Sequence, residues 1–346
     1  SSRRSVIVAT AMGKGSLALA RFRTHRHTAF AAMGKLDATL AILNGVVGDH
    51  LVRSGNALAT EMSWALHDRA LVRRAGALAS AYPKPTAKLV VLVHGLMTTE
   101  RVWRFRDGDD YGSRLAAELG YTPLYLRYNS GRPIPDSGGD LADMLEALLH
   151  EYPIAIDEIV LLGYSMGGLV VRSACHAGSM REQRWLAKVK RAIYVGTPHR
   201  GAPLERAGRT VAKILQAIDD PYTNLIADLA NVRSAGLKDL GDAHLRHEDR
   251  ERAAISSLRD PRHPVPLLDS IQHYLIAGSL SKLPLMAALF GDALVPLSSA
   301  TDGACASLES LALPPEHVRL LLGLGHVDLA HHPDVCAVVR EFCRDT

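Results

Sequence analysis

Glu158-Ile-Val-Leu-Leu-Gly-Tyr-Ser-Met-Gly-Gly168, running on into Leu169-Val-Val-Arg-Ser-Ala-Cys175, is the stretch around which the chain is organised. Ile159 to Leu162 is a short apolar run that reads as a buried strand. It breaks at Gly163-Tyr164-Ser165-Met166-Gly167, and a helix-compatible apolar segment starts at once. Strand, sharp turn, helix, with a serine at the apex, is the setting that a G-x-S-x-G elbow needs. The turn forces the serine into a strained backbone, and glycine two residues either side lets strand and helix pack closely. The helix N-terminus beneath the hydroxyl favours negative charge developing there. The competing reading is a glycine-rich turn carrying a passive serine.

Around that stretch, short apolar runs alternate with helical patterns. The expected strands are 88–94, 123–128, 158–164, 192–197, 273–277 and 318–323. The expected helices are Tyr111–Leu119, Asp140–His150, Met166–His176 and Pro333–Cys343. Continuous apolar strands separated by helices predict a mostly parallel central sheet with helices on both faces, an α/β fold. Sites in such sheets lie just past the carboxyl ends of the strands.

Two regions break the rhythm. About seventy residues separate Thr197 from His273, far more than a crossover needs. Leucines such as Leu215, Leu225, Leu229, Leu237 and Leu240 recur there, and a helical cap over about 202–268 is expected, its leucines sheltering an apolar substrate or sealing the cap to the core. Residues 1–82 form the other region. No acid precedes Asp37, whereas Arg3, Arg4, Lys14, Arg21, Arg23, Arg26 and Lys35 do. This start suits a transit peptide, a basic patch on an anionic membrane surface, or a plain basic helix face. Leu36, Leu40, Leu43 and Val47 recur at helical spacing, and a second helix is expected over Ala57–Val72. Residues 1–82 thus read as a helical extension packed on a main domain of 83–346, after a linker at Tyr82-Pro-Lys-Pro-Thr86.

Composition narrows the class. The chain has 346 residues, is 47% hydrophobic and 22% charged, and carries a net charge of +4, too diffuse to argue for nucleic acid. Cys175, Cys305, Cys336 and Cys343 show no metal spacing and read as reduced, with a bridge from Cys305 to one of the late pair left open. No apolar run reaches membrane-spanning length.

A serine hydroxyl becomes a nucleophile when an imidazole takes its proton and a carboxylate orients that imidazole. His326, in Leu324-Gly-His-Val-Asp-Leu329, follows the last strand and is the base; His199, in Thr197-Pro-His-Arg-Gly201, competes. In chain order Ser, acid, His, the acid falls before His326. Asp292, in Gly291-Asp-Ala-Leu-Val-Pro296, is the choice, with Asp302 and Asp269 behind it. The oxyanion hole draws on the Met166 amide and on Leu96, after Val93-His-Gly95. His94, Gly95, Met97 and Tyr164 flank these donors and are candidate substrate contacts, although a histidine at 94 more commonly props its loop.

Taken together, Val93-His-Gly95, Gly163-Tyr-Ser-Met-Gly-Gly168, Gly196-Thr-Pro-His-Arg-Gly201, Gly291-Asp-Ala-Leu-Val-Pro296 and Gly325-His-Val-Asp-Leu329 resemble an α/β-hydrolase of the serine esterase/lipase kind. The group is that of bacterial triacylglycerol-lipase and GPI inositol-deacylase-like proteins. The resemblance implies a Ser165–His326–Asp292 triad and a structural Thr-Pro-His-Arg-Gly turn, which lowers His199 as a base. Ala293 departs from the glycine often found there. The expected activity is hydrolysis of esters with apolar acyl chains through an acyl-serine, without cofactor or metal. Acyl transfer, thioester or amide cleavage, or a silent binding fold are the alternatives. The expected partner is a small-molecule or lipid ester, not nucleic acid, with peripheral contact at a lipid interface and oligomeric state both open. Localisation is also open, since the chain begins without methionine; a soluble bacterial protein, cytoplasmic over secreted, is the expectation.

Overall fold

Lys88–Val93 (β3) shows how the sheet is built. Successive strand side chains point to opposite faces, and here both faces are covered. Leu89, Val91 and Val93 enter one apolar cluster, while Val90 and Leu92 enter another. All five are fully buried. Each such side chain contributes roughly 1.5–3 kcal/mol relative to exposure. The computed structural model describes residues 36–66, 68–72, 74, 76–199, 236, 239, 245–246, 265–280 and 313–344.

Among these, eight strands form one sheet: Ser63–Leu66 (β1), Arg69–Ala70 (β2), β3, Thr122–Arg127 (β4), Glu158–Tyr164 (β5), Val189–Val195 (β6), Gln272–Ser279 (β7) and Val318–Leu322 (β8). Their order is β2-β1-β4-β3-β5-β6-β7-β8. β4 to β8 and β3 pair in parallel, and β1 runs antiparallel to both β2 and β4.

The helices are α1 (36–53), Ala77–Ala81 (α2), Tyr111–Leu119 (α3), Ile134–Glu151 (α4), Met166–Met180 (α5), His326–Leu329 (α6) and Pro333–Cys343 (α7). The cluster on one face joins α1, α4 and α5; that on the other joins α3 and α7. The α/β-hydrolase fold, a mostly parallel sheet between two helical layers, follows from this arrangement.

Every expected core strand is present within one to three residues at either end, and two of the four expected helices have the expected bounds. α4 starts six residues before Asp140. It begins behind Pro133 and includes Gly138 and Gly139, whose poor helix propensity masked it. The close pass of α5 explains one of them: a Cβ at Gly138 would overlap Ser173.

The helix expected over Ala57–Val72 is not formed; β1 and β2 occupy its second half. Without β1, β4 would be an open edge, and pairing with Ser63, Trp64 and Ala65 satisfies it. That tertiary demand overrides local periodicity. The segment 202–268 lies largely outside the described residues. Its described points anchor on the main domain. The Asp239 carboxylate accepts the Ile134 amide at 3.0 Å, and the Leu245 carbonyl accepts the Ser173 hydroxyl at 2.9 Å.

In this order the chain turns back at β3: β4 lies on one side of it and β5 on the other. Ligands in open α/β sheets bind past the strand ends at such a reversal. The loops leaving β3 and β5 are those carrying His94–Met97 and Ser165.

Candidate active site

The elbow is assembled from close backbone approaches. Ser165 has φ 53° and ψ −124°, a region that side chains rarely adopt. Its amide donates to the Val195 carbonyl at 2.8 Å and its carbonyl accepts from the Gly168 amide at 3.0 Å, which holds it there. A Cβ at Gly163 would sit 2.5 Å from the Gly168 Cα, and one at Gly167 would overlap the Val93 and His94 carbonyls. The glycines are thus required by contact. Ser165 is partly exposed, unlike its buried neighbours Tyr164 and Met166.

His326 is the first residue of α6, reached through the turn after β8. The Asp328 carboxylate accepts the Gly325 amide at 3.3 Å and closes that turn. His326 Nε2 lies 2.8 Å from Ser165 Oγ, although 161 residues separate the two. The loop after β6 borders the imidazole: Gly196 has φ 59°, and a Cβ there would stand 3.2 Å from His326 Cε1. With Nε2 as acceptor, the geometry allows proton transfer from hydroxyl to imidazole.

The loop after β3 passes directly beside Ser165. A Cβ on Gly95 would lie 3.1 Å from Ser165 Cβ and 3.2 Å from Tyr164 Cδ1. His94 points away from solvent. It is fully buried, stacks on Tyr128 with centroids 4.4 Å apart, and its Nδ1 faces the Gly95 carbonyl at 2.9 Å. Burial pulls its pKa down to about 4, so it stays neutral and props the loop. Met97 is buried, and its amide donates to Ser130 Oγ at 3.0 Å. Leu96 and Met166, the two expected oxyanion donors, are both buried, one following Gly95 and the other Ser165 in the chain.

Tyr164, grouped in the sequence with the substrate contacts, is packed edge-on against Trp103 and is 4% exposed. Its hydroxyl donates to the His326 carbonyl at 3.0 Å. It joins the elbow to the histidine turn. His199 is likewise engaged elsewhere. Its Nδ1 accepts from Arg172 at 3.1 Å and its ring meets Tyr194 edge-on. Burial, and then the Arg172 charge, hold its pKa well below the usual range. Arg172 also donates to the Val265 carbonyl at 2.7 Å, so this pair braces the far end of the 202–268 segment.

Asp292 and its alternative Asp302 lie outside the described residues, as does Cys305. The other three cysteines are buried free thiols. Tyr128 and Ser130 were missed in the sequence. Both stand at the carboxyl end of β4, a position that the strand-end rule marks. Among the described residues, no helix is long and apolar enough to cross a membrane.

A model of the alpha/beta hydrolase family matches residues 90–339. None of the curated proteins matches. Among solved structures, the chain is similar to the mature lipase BlEst2 of Bacillus licheniformis, at 18% identity over 75% of this chain and 93% of that one, with a TM-score of 0.47. It is also similar to the esterase Pf2001 of Pyrococcus furiosus, at 14% identity over 74% of this chain and 80% of that one, with a TM-score of 0.42. The family match runs from β3 to α7 and so takes in the elbow, the adjoining loop and the histidine turn: the chain belongs to the alpha/beta hydrolase family.

Proposed function

We propose that this chain is a serine ester hydrolase working through an acyl-serine intermediate. The observation that carries the reading is the 2.8 Å approach of His326 Nε2 to a partly exposed Ser165 Oγ. Ser165 attacks the ester carbonyl while His326 takes its proton. The carbonyl oxygen becomes an oxyanion beside Gly95, where the Leu96 and Met166 amides donate to it and the α5 N-terminus favours its charge. Collapse expels the alcohol, which receives the proton from His326. Water, deprotonated by the same imidazole, then releases the acid and restores Ser165.

Asp292 is assigned as the carboxylate that accepts the His326 Nδ1–H and stabilises the imidazolium, a role drawn from chain order and motif. The choice of esters with apolar acyl chains draws on the leucines of 202–268 and on sequence alone. Residues 1–82 are assigned as an extension of the 83–346 hydrolase domain, a division that α1, packed on the sheet, and β1, a strand of it, make intimate.

The test is a fluorophosphonate label together with rates on p-nitrophenyl esters of increasing chain length. Labelling that is lost in Ser165→Ala, with ester turnover falling at least about 10⁴-fold, is expected. Labelling without turnover of any ester would move the reading to amide, thioester or transfer chemistry. No labelling at all would sink it and favour a silent binding fold.

A further inference from the structure

We propose that the N-terminal helix α1 is a working part of this active site. Through the loop leaving β4 it fixes the loop that supplies the oxyanion donor, with Ser130 as the positioning residue. The inference rests on the ester-hydrolase reading.

Within the loop after β3, His94 and Thr98 both engage the Gly95 carbonyl, and the Met97 amide is held from outside. Met97 sits at φ 57°, where a branched or bulky side chain is strained. Its amide would be an unpaired buried donor without Ser130, whose Oγ accepts it at 3.0 Å. A buried amide left unsatisfied is costly enough to shift the peptide. Two residues earlier, Tyr128 donates its hydroxyl to the His94 carbonyl at 2.9 Å. The β4 exit therefore grips the oxyanion loop on both sides of Gly95 and Leu96, and the Leu96 amide sits between the two grips.

That exit loop is in turn held by α1. Asn129 donates to the Gly48 carbonyl at 3.0 Å and accepts the Gly131 amide at 3.0 Å. The approach is close enough that a Cβ on Gly48 would overlap the Asn129 amide group. α1 also touches the oxyanion loop directly: a Cβ on Gly45 would overlap the Met97 side chain and stand 3.2 Å from its Cα. The helix itself is pinned by Asn44, 1% exposed, which donates to the Leu58 carbonyl at 2.9 Å and accepts the Thr60 amide at 2.8 Å. Two glycines one turn apart on a single helix face, each abutting a different strand-end loop, are what a brace requires.

An oxyanion donor acts only if aimed within a few tenths of an ångström at the developing charge. Displacing the Leu96 amide should therefore lower transition-state affinity and leave ground-state binding nearly intact. The experiment measures kcat, KM and inhibition by an alkylboronic acid, which mimics the tetrahedral adduct, on full-length wild type, Ser130→Ala and Gly45→Ala. Rates are scaled to fluorophosphonate-labelled enzyme. The expected result is a 10- to 50-fold fall in kcat for Ser130→Ala and a smaller fall for Gly45→Ala. KM stays within about twofold, and boronate affinity weakens in step with kcat. Should Ser130→Ala not fold, Gly45→Ala carries the test by the same split, and Ser130→Thr, which keeps the hydroxyl acceptor, should hold kcat and boronate affinity near wild type. Variants that lose thermal stability but keep wild-type kcat and boronate affinity would overturn the inference while leaving the ester-hydrolase reading untouched. A wild-type chain that neither labels nor hydrolyses esters would overturn both.

Discussion

The elbow and the loop after β3 stand side by side at the reversal of the sheet, yet they are stabilised in opposite ways. The elbow is held by backbone: Ser165 is pinned by the Val195 carbonyl, and Gly163 and Gly168 touch within six residues of chain. The loop is held from far away mainly by side chains, Tyr128 and Ser130 from the β4 exit, with the bare backbone of Gly45 in α1 abutting Met97. A backbone contact with no Cβ has no tolerance for change. A side-chain prop can be weakened by degrees. The Ser165 turn should therefore be brittle and the Gly95 loop tunable.

The largest expected effect is in the elbow. In Gly163→Ala the new methyl would meet the backbone of Gly167 and Gly168, which cannot move without moving α5. Overpacking of this kind should remove about 3 kcal/mol or more of stability and at least about 10³-fold of activity, read by thermal unfolding and kcat/KM. A near-wild-type Gly163→Ala enzyme would erase the contrast.

Acid should act next, and on the loop. His94 is neutral in the fold with a pKa near 4, whereas an unfolded histidine titrates near 6.5. Below pH 6.5 the unfolded chain takes up a proton that the folded chain refuses. Stability is therefore full above pH 6.5 and declines as pH falls towards 4, by on the order of 2–3 kcal/mol from this group. Buried His273, also held near 4 first by desolvation, adds a decline of the same sign in the same window. Denaturant midpoints between pH 4 and 7 should thus fall less steeply in His94→Asn than in wild type. Equal slopes would refute the assignment of His94 as a neutral prop.

Tyr164→Phe probes the strut between the two halves. Losing its hydrogen bond to the His326 carbonyl should cost about 1 kcal/mol, near a fivefold fall in kcat with KM little changed. The smallest effect is expected for Thr98→Val. Thr98 donates to the Gly95 carbonyl at 3.0 Å, an acceptor that His94 also faces, and the shared load should limit the loss to about threefold or less. A larger loss for Thr98→Val than for Tyr164→Phe would show that the loop hangs on local bonds, contrary to the contrast drawn above.

Much of this was legible in the chain. A run such as Leu89-Val-Val-Leu-Val93, apolar at every position, short and rich in valine, reads as a strand buried on both faces, because it is too short for a buried helix and its branched side chains suit a pleated surface. Gly163-Tyr-Ser-Met-Gly167 demanded the elbow, since only glycine permits those approaches. His326 followed from its place after the last strand, and it does reach Ser165. The hairpin of β1 and β2 was not legible. Its residues formed a strand because β4 offered an open edge, and that edge exists only once the sheet has formed.

The same division holds within the site. By itself the sequence determined the fold class, the turn at Ser165 and the order of the strands' apolar runs, because short-range sterics and burial dictate them. Only the tertiary structure decided that Tyr164 faces the histidine turn rather than a substrate, that His94 is a prop, and that Ser130 and α1 hold the neighbouring loop. Those roles depend on which side chains meet across 30 to 160 residues of chain, and no local pattern encodes a partner that distant.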